Sequence, residues 1–322
     1  MLMRRFAVWV PVGILILGAD AVSARNFPNR PVRIVTAEVG GTSDFMVRLI
    51  GQGLTSSWGQ PVVVENRAAG GGIVAASTVA KATPDGYTLL SYGHIIWLLP
   101  FLRKNLPYDP VRDLSPVTWT TSTPNVLVVH PSLPVRSVAD LIALAKARPG
   151  ELNYGSGATG ATSHLGVELF KAMAGVSIVR INYRGTGQAV NDLISGQIHV
   201  MFSSVAAAVP HVDAGRLRPL AITSRRPSAL FPGLPAVAAT VPGYESIAVF
   251  GIFAPAGTPP ALISRLNHEI VQVLGRTDVK EKLLKGGVEP IGNPPEEFAV
   301  KLKSEMSKWA KVIKDVGITP ED

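Results

Sequence analysis

The sequence contains no cysteine, which rules out a disulfide framework, a thiol nucleophile and a lipid-acceptor cysteine after a leader segment. Its six histidines form neither an HExxH pair nor a cluster spaced for metal ligation, so no metal and no cofactor is expected. Ser156 and Ser163 lack the GxSxG elbow of a hydrolase nucleophile. Charged residues make up only 17% of the chain and aromatics 7%, and the formal net charge of +8 is spread out without aromatic interleaving. That pattern argues against nucleic acid as a partner and leaves a modest positive field suited to gathering small anions. No low-complexity tract is present, and the apolar stretches 141–147 and 205–209 are short and interrupted by charge or proline.

The N-terminus differs in character from the rest. Arg4 and Arg5 precede an apolar run from Phe6 to Leu17, and Val22-Ser23-Ala24 offers small residues where signal peptidase needs them. The run is roughly 12 residues long against the ~20 of a membrane-spanning helix. A signal peptide cleaved after Ala24 is therefore expected, with an uncleaved anchor as the alternative. Export implies a periplasmic location in a cell that has an outer membrane.

Beyond the leader, apolar strands alternate with amphipathic helices. Strands are expected at 32–36, 61–65 and 87–91, with helices at 45–54 and 72–82 between them. The plan then starts again, with strands at 152–154, 177–182 and 198–202 and helices at 163–173 and 187–195. Gly41 falls against Gly157 or Gly160, Arg67 against Arg184, Gly70 against Gly187 and Ser91 against Ser203, at a nearly constant offset. Such alternation implies an α/β fold with mostly parallel sheets, and the repetition implies two lobes. Two further extended runs, 124–130 and 247–254, lie where the chain would cross between lobes and make a hinge. The remainder reads as helices at 261–274, 278–285 and 295–316, two of them led by prolines. These are expected to pack on the first lobe.

In open α/β sheets, ligands sit beyond the carboxyl ends of the strands. The loops there are glycines and small hydroxyl residues opening helices, an arrangement that aims N–H groups and helix dipoles at an anion. In the first lobe the candidate contacts are Gly40, Gly41, Thr42, Ser43 and Asp44, then Gly71, and then Ser91 and Tyr92. Thr42 and Ser43 can instead cap the following helix, and Asp44 suits a cap or loop tie better than an anion contact. In the second lobe they are Ser156, Gly157, Thr159, Gly160, Ala161, Thr162 and His164, then Arg184, Gly185 and Thr186, and then Ser203 and Ser204. His164 reads equally well as a carboxylate donor or as a packed or capping side chain. Arg67 and Arg184 each precede a glycine loop; a structural salt bridge is favoured for Arg67, while Arg184 is balanced between that and a bidentate carboxylate contact. Tyr92, His94, Trp97 and Phe202 lie at strand ends and read more readily as core than as cleft residues.

The mature chain resembles the tripartite tricarboxylate transporter substrate receptors, the TctC or Bug family of periplasmic solute-binding proteins. The residues that carry the resemblance include Phe27-Pro-Asn-Arg-Pro-Val-Arg-Ile-Val35, Gly59-Gln-Pro-Val-Val-Val-Glu-Asn-Arg67, Pro84-Asp-Gly-Tyr-Thr-Leu-Leu90, Asn125-Val-Leu-Val-Val-His-Pro131 and Ala254-Pro-Ala-Gly-Thr-Pro259. The resemblance implies a type II periplasmic-binding-protein fold, two α/β lobes joined by two crossing strands, with 25–126 and 226–322 as lobe 1 and 127–225 as lobe 2. It also implies a monomer that carries a small organic acid, a di- or tricarboxylate or an aromatic carboxylate, to membrane transporter subunits. The sequence departs from the family in two places. Thr36-Ala-Glu-Val-Gly-Gly41 replaces a proline-rich approach to the first loop, and Ser203-Ser204 stands where relatives often carry an acid, which argues against an amino-bearing ligand. Two other readings compete. One is a carboxylate sensor signalling through the same surface. The other is an NAD(P)-dependent oxidoreductase, because Gly155-Ser-Gly-Ala-Thr-Gly160 matches GxGxxG, although the acidic residue expected about twenty positions on is replaced by a region holding Arg180 and Arg184.

Overall fold

A computed structural model describes residues 27–36, 39, 42–67, 69–157, 159–183, 186–228 and 230–320. The expected signal segment 1–24, Glu38, Gly40, Gly41, Arg184 and Gly185 lie outside the described residues. In chain order the elements are β1 (Val32–Thr36), α1 (Thr42–Trp58), β2 (Val62–Asn66), α2 (Ile73–Ala80), β3 (Thr88–Gly93), α3 (Ile95–Leu98) and β4 (Leu114–Val129). There follow α4 (Val138–Ala147), β5 (Asn153–Ser156), α5 (Thr162–Ala174), β6 (Val179–Asn182), α6 (Thr186–Ile194), β7 (Val200–Ser204), α7 (Val205–Asp213) and β8 (Arg218–Ile222). The chain ends with β9 (Ile247–Pro255), α8 (Pro260–Gly275), α9 (Thr277–Lys285), β10 (Glu289–Pro290) and α10 (Pro295–Asp315).

The strands neighbour one another in the order β2-β1-β3-β9-β4-β7-β5-β6. β1 runs parallel to β2 and β3, and β5 runs parallel to β6 and β7, so each half repeats one plan. The joints β3–β9, β9–β4 and β4–β7 are antiparallel. β1 is buried along nearly its whole length, as a parallel strand covered on both faces must be. α1 turns Met46, Val47, Ile50 and Leu54 inward, the stripe a one-sided helix presents to a sheet. α10 opens on Pro295 with Glu296 and Glu297 in its first turn, where a missing N–H and negative charge are both tolerated.

The first sheet is enclosed by α1, α8 and α9 on one side, through Ile34, Ile50, Leu266 and Leu283, and by α2, α3 and α10 on the other, through Val35, Trp97, Phe298 and Trp309. The second has its own two cores, around Tyr154, Phe170 and Phe202 and around Val126, Val190 and Met201. The C-terminal helices do return to the first lobe. The segment before β9 does not: Val237, Val241 and Tyr244 pack with Phe170 and Phe202. A stretch that the expected boundary at 225/226 placed in lobe 1 thus rests on lobe 2, held there by apolar residues too widely spaced among prolines and glycines to show a period.

β4 begins well before the expected 124–130. Its first half is a row of threonines and serines interrupted by proline, a poor strand signal. The hydroxyls are buried and bonded: Thr118 donates to the Asn293 carbonyl (2.9 Å), Thr120 to Phe250 (2.9 Å) and Thr123 to Gly287 (2.8 Å). Pro116 sits at a register shift and Pro124 at the point where β4 leaves β9, the places a strand tolerates proline. Pro124 still pairs with Ile247, whereas Asn125 pairs with Ser204 of the other lobe. The return crossing runs beside it, with Thr223 N donating to Asn125 O and Ser246 N to Thr223 O.

Candidate functional site

A cleft of about 950 Å³ lies between the lobes. Its floor is the crossing strands, represented by Thr123, Asn125, Ala248 and Phe250. Lobe 1 supplies Thr42, Ser43, Gly70, Gly71, Tyr92, Gly93, His94, Ile95, Leu99, Leu102, Arg103 and Thr319. Lobe 2 supplies Thr159, Ala161, Thr162, Asn182, Tyr183 and Ser204. No aspartate or glutamate is among these described lining residues, and Arg103 is the only arginine or lysine.

Helices begin at this cleft from both sides. α1 opens on Thr42, α2 follows the left-handed glycines Gly70, Gly71 and Gly72, α5 follows Ala161, and α7 follows Ser204. At α2, α5 and α7 the N-cap position makes no side-chain capping bond. First-turn N–H groups without side-chain caps point outward along the helix axis, and together with the dipoles they make the cleft electropositive.

Each loop is tied from beneath. In lobe 1 the hydroxyls of Ser43 and Thr36 lie 2.8 Å apart and each also lies within donating reach of the Ser91 carbonyl, at 3.1 and 2.9 Å, so that two protons are shared among three contacts. Ser43 therefore clamps the start of α1 to the ends of β1 and β3. Asp44 pairs with Arg48 (2.9 Å) and accepts from Asn66 (2.7 Å), the loop-holding role its position suggested. In lobe 2 the guanidinium of Arg180 donates to Ser156 Oγ (2.8 Å), Gly157 O (3.0 Å), Thr159 Oγ1 (3.4 Å) and Asn182 Oδ1 (2.9 Å). One planar fork thus ties Ser156, Gly157 and Thr159 of the glycine loop to β6. Gly157 N donates to Ser163 Oγ (3.2 Å), and Gly160 N donates to His164 Nδ1 (3.3 Å).

Two histidines are held neutral. His164 is buried beneath the loop, and burial first, then the nearby Arg180 charge, brings its pKa down to about 4. His94 sits at the entry to α3 among the residues that line the cleft; both ring nitrogens are buried, with the backbone of Gly160 facing the ring but no hydrogen bond of good geometry made. Burial lowers its pKa to about 4, with Lys308 acting in the same direction and Glu305 against it.

Of the residues singled out from sequence, Thr42, Ser43, Gly71, Tyr92, Thr159, Ala161, Thr162 and Ser204 come together in the cleft. Asp44, Ser91, Ser156, Gly157, Gly160, His164, Thr186 and Ser203 are not part of its lining. His164 takes the capping role, because its ring nitrogen already accepts a loop N–H. Arg67 makes the structural pair expected of it, with Glu65 (2.5 Å). Trp97 and Phe202 are core, whereas His94 is not wholly so. Asn125, Phe250, Leu99 and Leu102 were not anticipated; they read as ordinary strand and helix residues until the two sheets are brought together.

A family model described as "Tripartite tricarboxylate transporter family receptor" matches residues 46–318. Protein BugT of Bordetella pertussis is 37% identical over 98% of this chain and 98% of its own length. A protein of Pseudomonas sp. (strain P51), described only as lying in the tcbD-tcbE intergenic region, is 37% identical over 96% of this chain and 93% of its own. Among solved structures, R. palustris Rpa4515 with adipate has a TM-score of 0.79 at 40% identity, covering 92% of this chain and 100% of that one. MatC from Rhodopseudomonas palustris with bound malate has a TM-score of 0.73 at 29% identity, covering 89% and 100%. The two-lobed architecture is that of the type II periplasmic binding proteins, and the chain belongs to the tripartite tricarboxylate transporter receptor family, TctC.

Proposed function

We propose that this protein is a periplasmic solute receptor, exported by its leader segment, which captures a small organic carboxylate between its lobes as a monomer and delivers it to tripartite-type transporter subunits in the membrane. The observation that carries this reading is the convergence of helix N-termini from both lobes on a cleft whose described lining holds no acidic side chain. The adipate and malate named with two relatives are ligands of the chemistry such a cleft favours. The direct contacts we assign are Thr42, Gly71 and Tyr92 from one side and Thr159, Ala161, Thr162 and Ser204 from the other. The apolar wall of Ile95, Leu99, Leu102 and Phe250 takes the carbon skeleton.

The energetics are sufficient without a dedicated counter-ion. Micromolar affinity needs about 8 kcal/mol. Several charge-assisted hydrogen bonds at roughly 1.5–3 kcal/mol each, with up to ~2 kcal/mol for each well-placed helix terminus, reach that after association costs. Thermal-shift screening of organic acids followed by calorimetry tests the reading. One-to-one binding of an acid supports it; a protein that ignores every acid but binds NAD(P) overturns it.

A further inference from the structure

The floor of the cleft contains a side chain whose placement the fold does not explain. Asn125 lies where β4 passes from one sheet to the other, and it is only 4% exposed. Its backbone is fully engaged: N donates to Thr223 Oγ1 (2.7 Å), while O accepts from Thr223 N (2.9 Å) and from Thr223 Oγ1 (3.1 Å). Asn125 is among the residues that line the cleft, and its amide nitrogen is buried with no hydrogen-bond partner in the protein. The next four residues of the strand, 126–129, are all apolar and wholly buried, so an amide here adds nothing to packing that a valine would not supply. A buried primary amide without a partner is destabilising. It is retained at low cost to the bound protein only if an oxygen from outside the chain completes it.

We propose that Asn125 is a ligand-binding residue, donating from its amide to an oxygen of the bound acid at the pivot between the lobes. Resting on the receptor reading above, this assigns the cleft a ligand with an oxygen acceptor reaching its floor, a carboxylate, hydroxyl or oxo group rather than an ammonium. No lining carboxylate is described that would balance an ammonium. A neutral amide suits the position because it donates to an anion without locking it, and Thr223 holds its backbone in place from the return crossing.

The test is calorimetry of the full chain with adipate, malate, citrate and benzoate, using wild type, Asn125→Leu and Asn125→Asp. Leucine matches the volume and removes the donor; aspartate keeps the shape and opposes an anion. For whichever acid wild type binds, both variants are expected to bind about tenfold or more weakly. The ligand-free melting temperature of Asn125→Leu is expected to stay level or rise, because an unpaired amide has been removed. Loss of affinity with retained or raised stability is a pairing that a merely structural asparagine would not give. Binding by both variants within about threefold of wild type overturns this proposal alone, as does a fall in ligand-free stability of both that parallels the loss of affinity. Failure of wild type to bind these four and every other acid of the thermal-shift screen removes the receptor reading and this proposal together.

Discussion

Gly160 is the point at which the second-lobe loop meets the wall of the first lobe, and adding one methyl group there separates two energies. Its φ is +87°, and a Cβ would lie 2.5 Å from Leu102 Cδ1 and 3.1 Å from Ile95 Cδ1. The left-handed backbone costs an alanine about 1–2 kcal/mol wherever the loop keeps its shape. The steric overlap costs more only when the loop lies against lobe 1. Overpacking of this kind runs to about 1–3 kcal/mol; Leu102 is 5% exposed, which limits how far its tip can yield. Taking about 1–2 kcal/mol for the overlap, Gly160→Ala is expected to weaken binding of a confirmed acid roughly 5- to 30-fold. Calorimetry measures that loss, and a thermal melt of the ligand-free protein measures the backbone cost. Leu102→Ala alone loses part of the apolar wall, so the comparison is made in that background: there Gly160→Ala should cost little further affinity while still lowering the melting temperature, a coupling read directly from the double-mutant cycle. Unchanged affinity in Gly160→Ala, or the same loss from Gly160→Ala with and without the Leu102 side chain, would show that the lobes do not meet at this contact when ligand is bound.

Two further outcomes are expected. Arg180→Lys replaces a fork that bonds Ser156, Gly157, Thr159 and Asn182 with a single point charge. It should lower affinity by about tenfold and raise amide exchange across 156–163, with no change if the loop holds its own shape. For pH, the unfolded chain protonates His94 below about 6.5 and the folded chain only below about 4. The unfolded state therefore binds more protons between those values, and stability falls as pH drops through that window. From pH 7 to pH 5 the loss from His94 is about 2 kcal/mol, measurable by urea denaturation and removed in His94→Gln. Glu305 and Lys308 on α10 face the ring with opposite effects, and His164 titrates in the same direction. An unchanged pH slope in His94→Gln would contradict the burial argument.

Much of the architecture was legible because its signals are local. Strands such as 32–36 are buried on both faces and read as apolar runs, and Pro260 and Pro295 announce helix starts in any context. The cleft was half legible for the same reason. Glycine and hydroxyl residues between strand and helix mark Thr42, Thr159 and Thr162, because the local geometry that opens a helix also exposes its N–H groups. What escaped depends on contacts distant in sequence. The threonines of 114–123 form a strand only because Asn293, Phe250 and Gly287 accept from them. Ser156 and Gly157 look like ligand contacts until Arg180 is seen beneath them, and Asn125 looks like any strand residue until Thr223 and Ser204 close around it. A hydroxyl that clamps a helix, as Ser43 does, cannot be told by sequence from one that greets a ligand.

In the proposed receptor both lobes hold the same acid. A crystal structure of the protein with an acid confirmed by calorimetry tests it most directly. The expected result is an acid lying over Asn125, with one carboxylate within hydrogen-bonding distance of Thr42 or Gly71 on one side and of the 159–162 loop on the other. An acid bound outside the cleft, or touching one lobe only, would contradict the account.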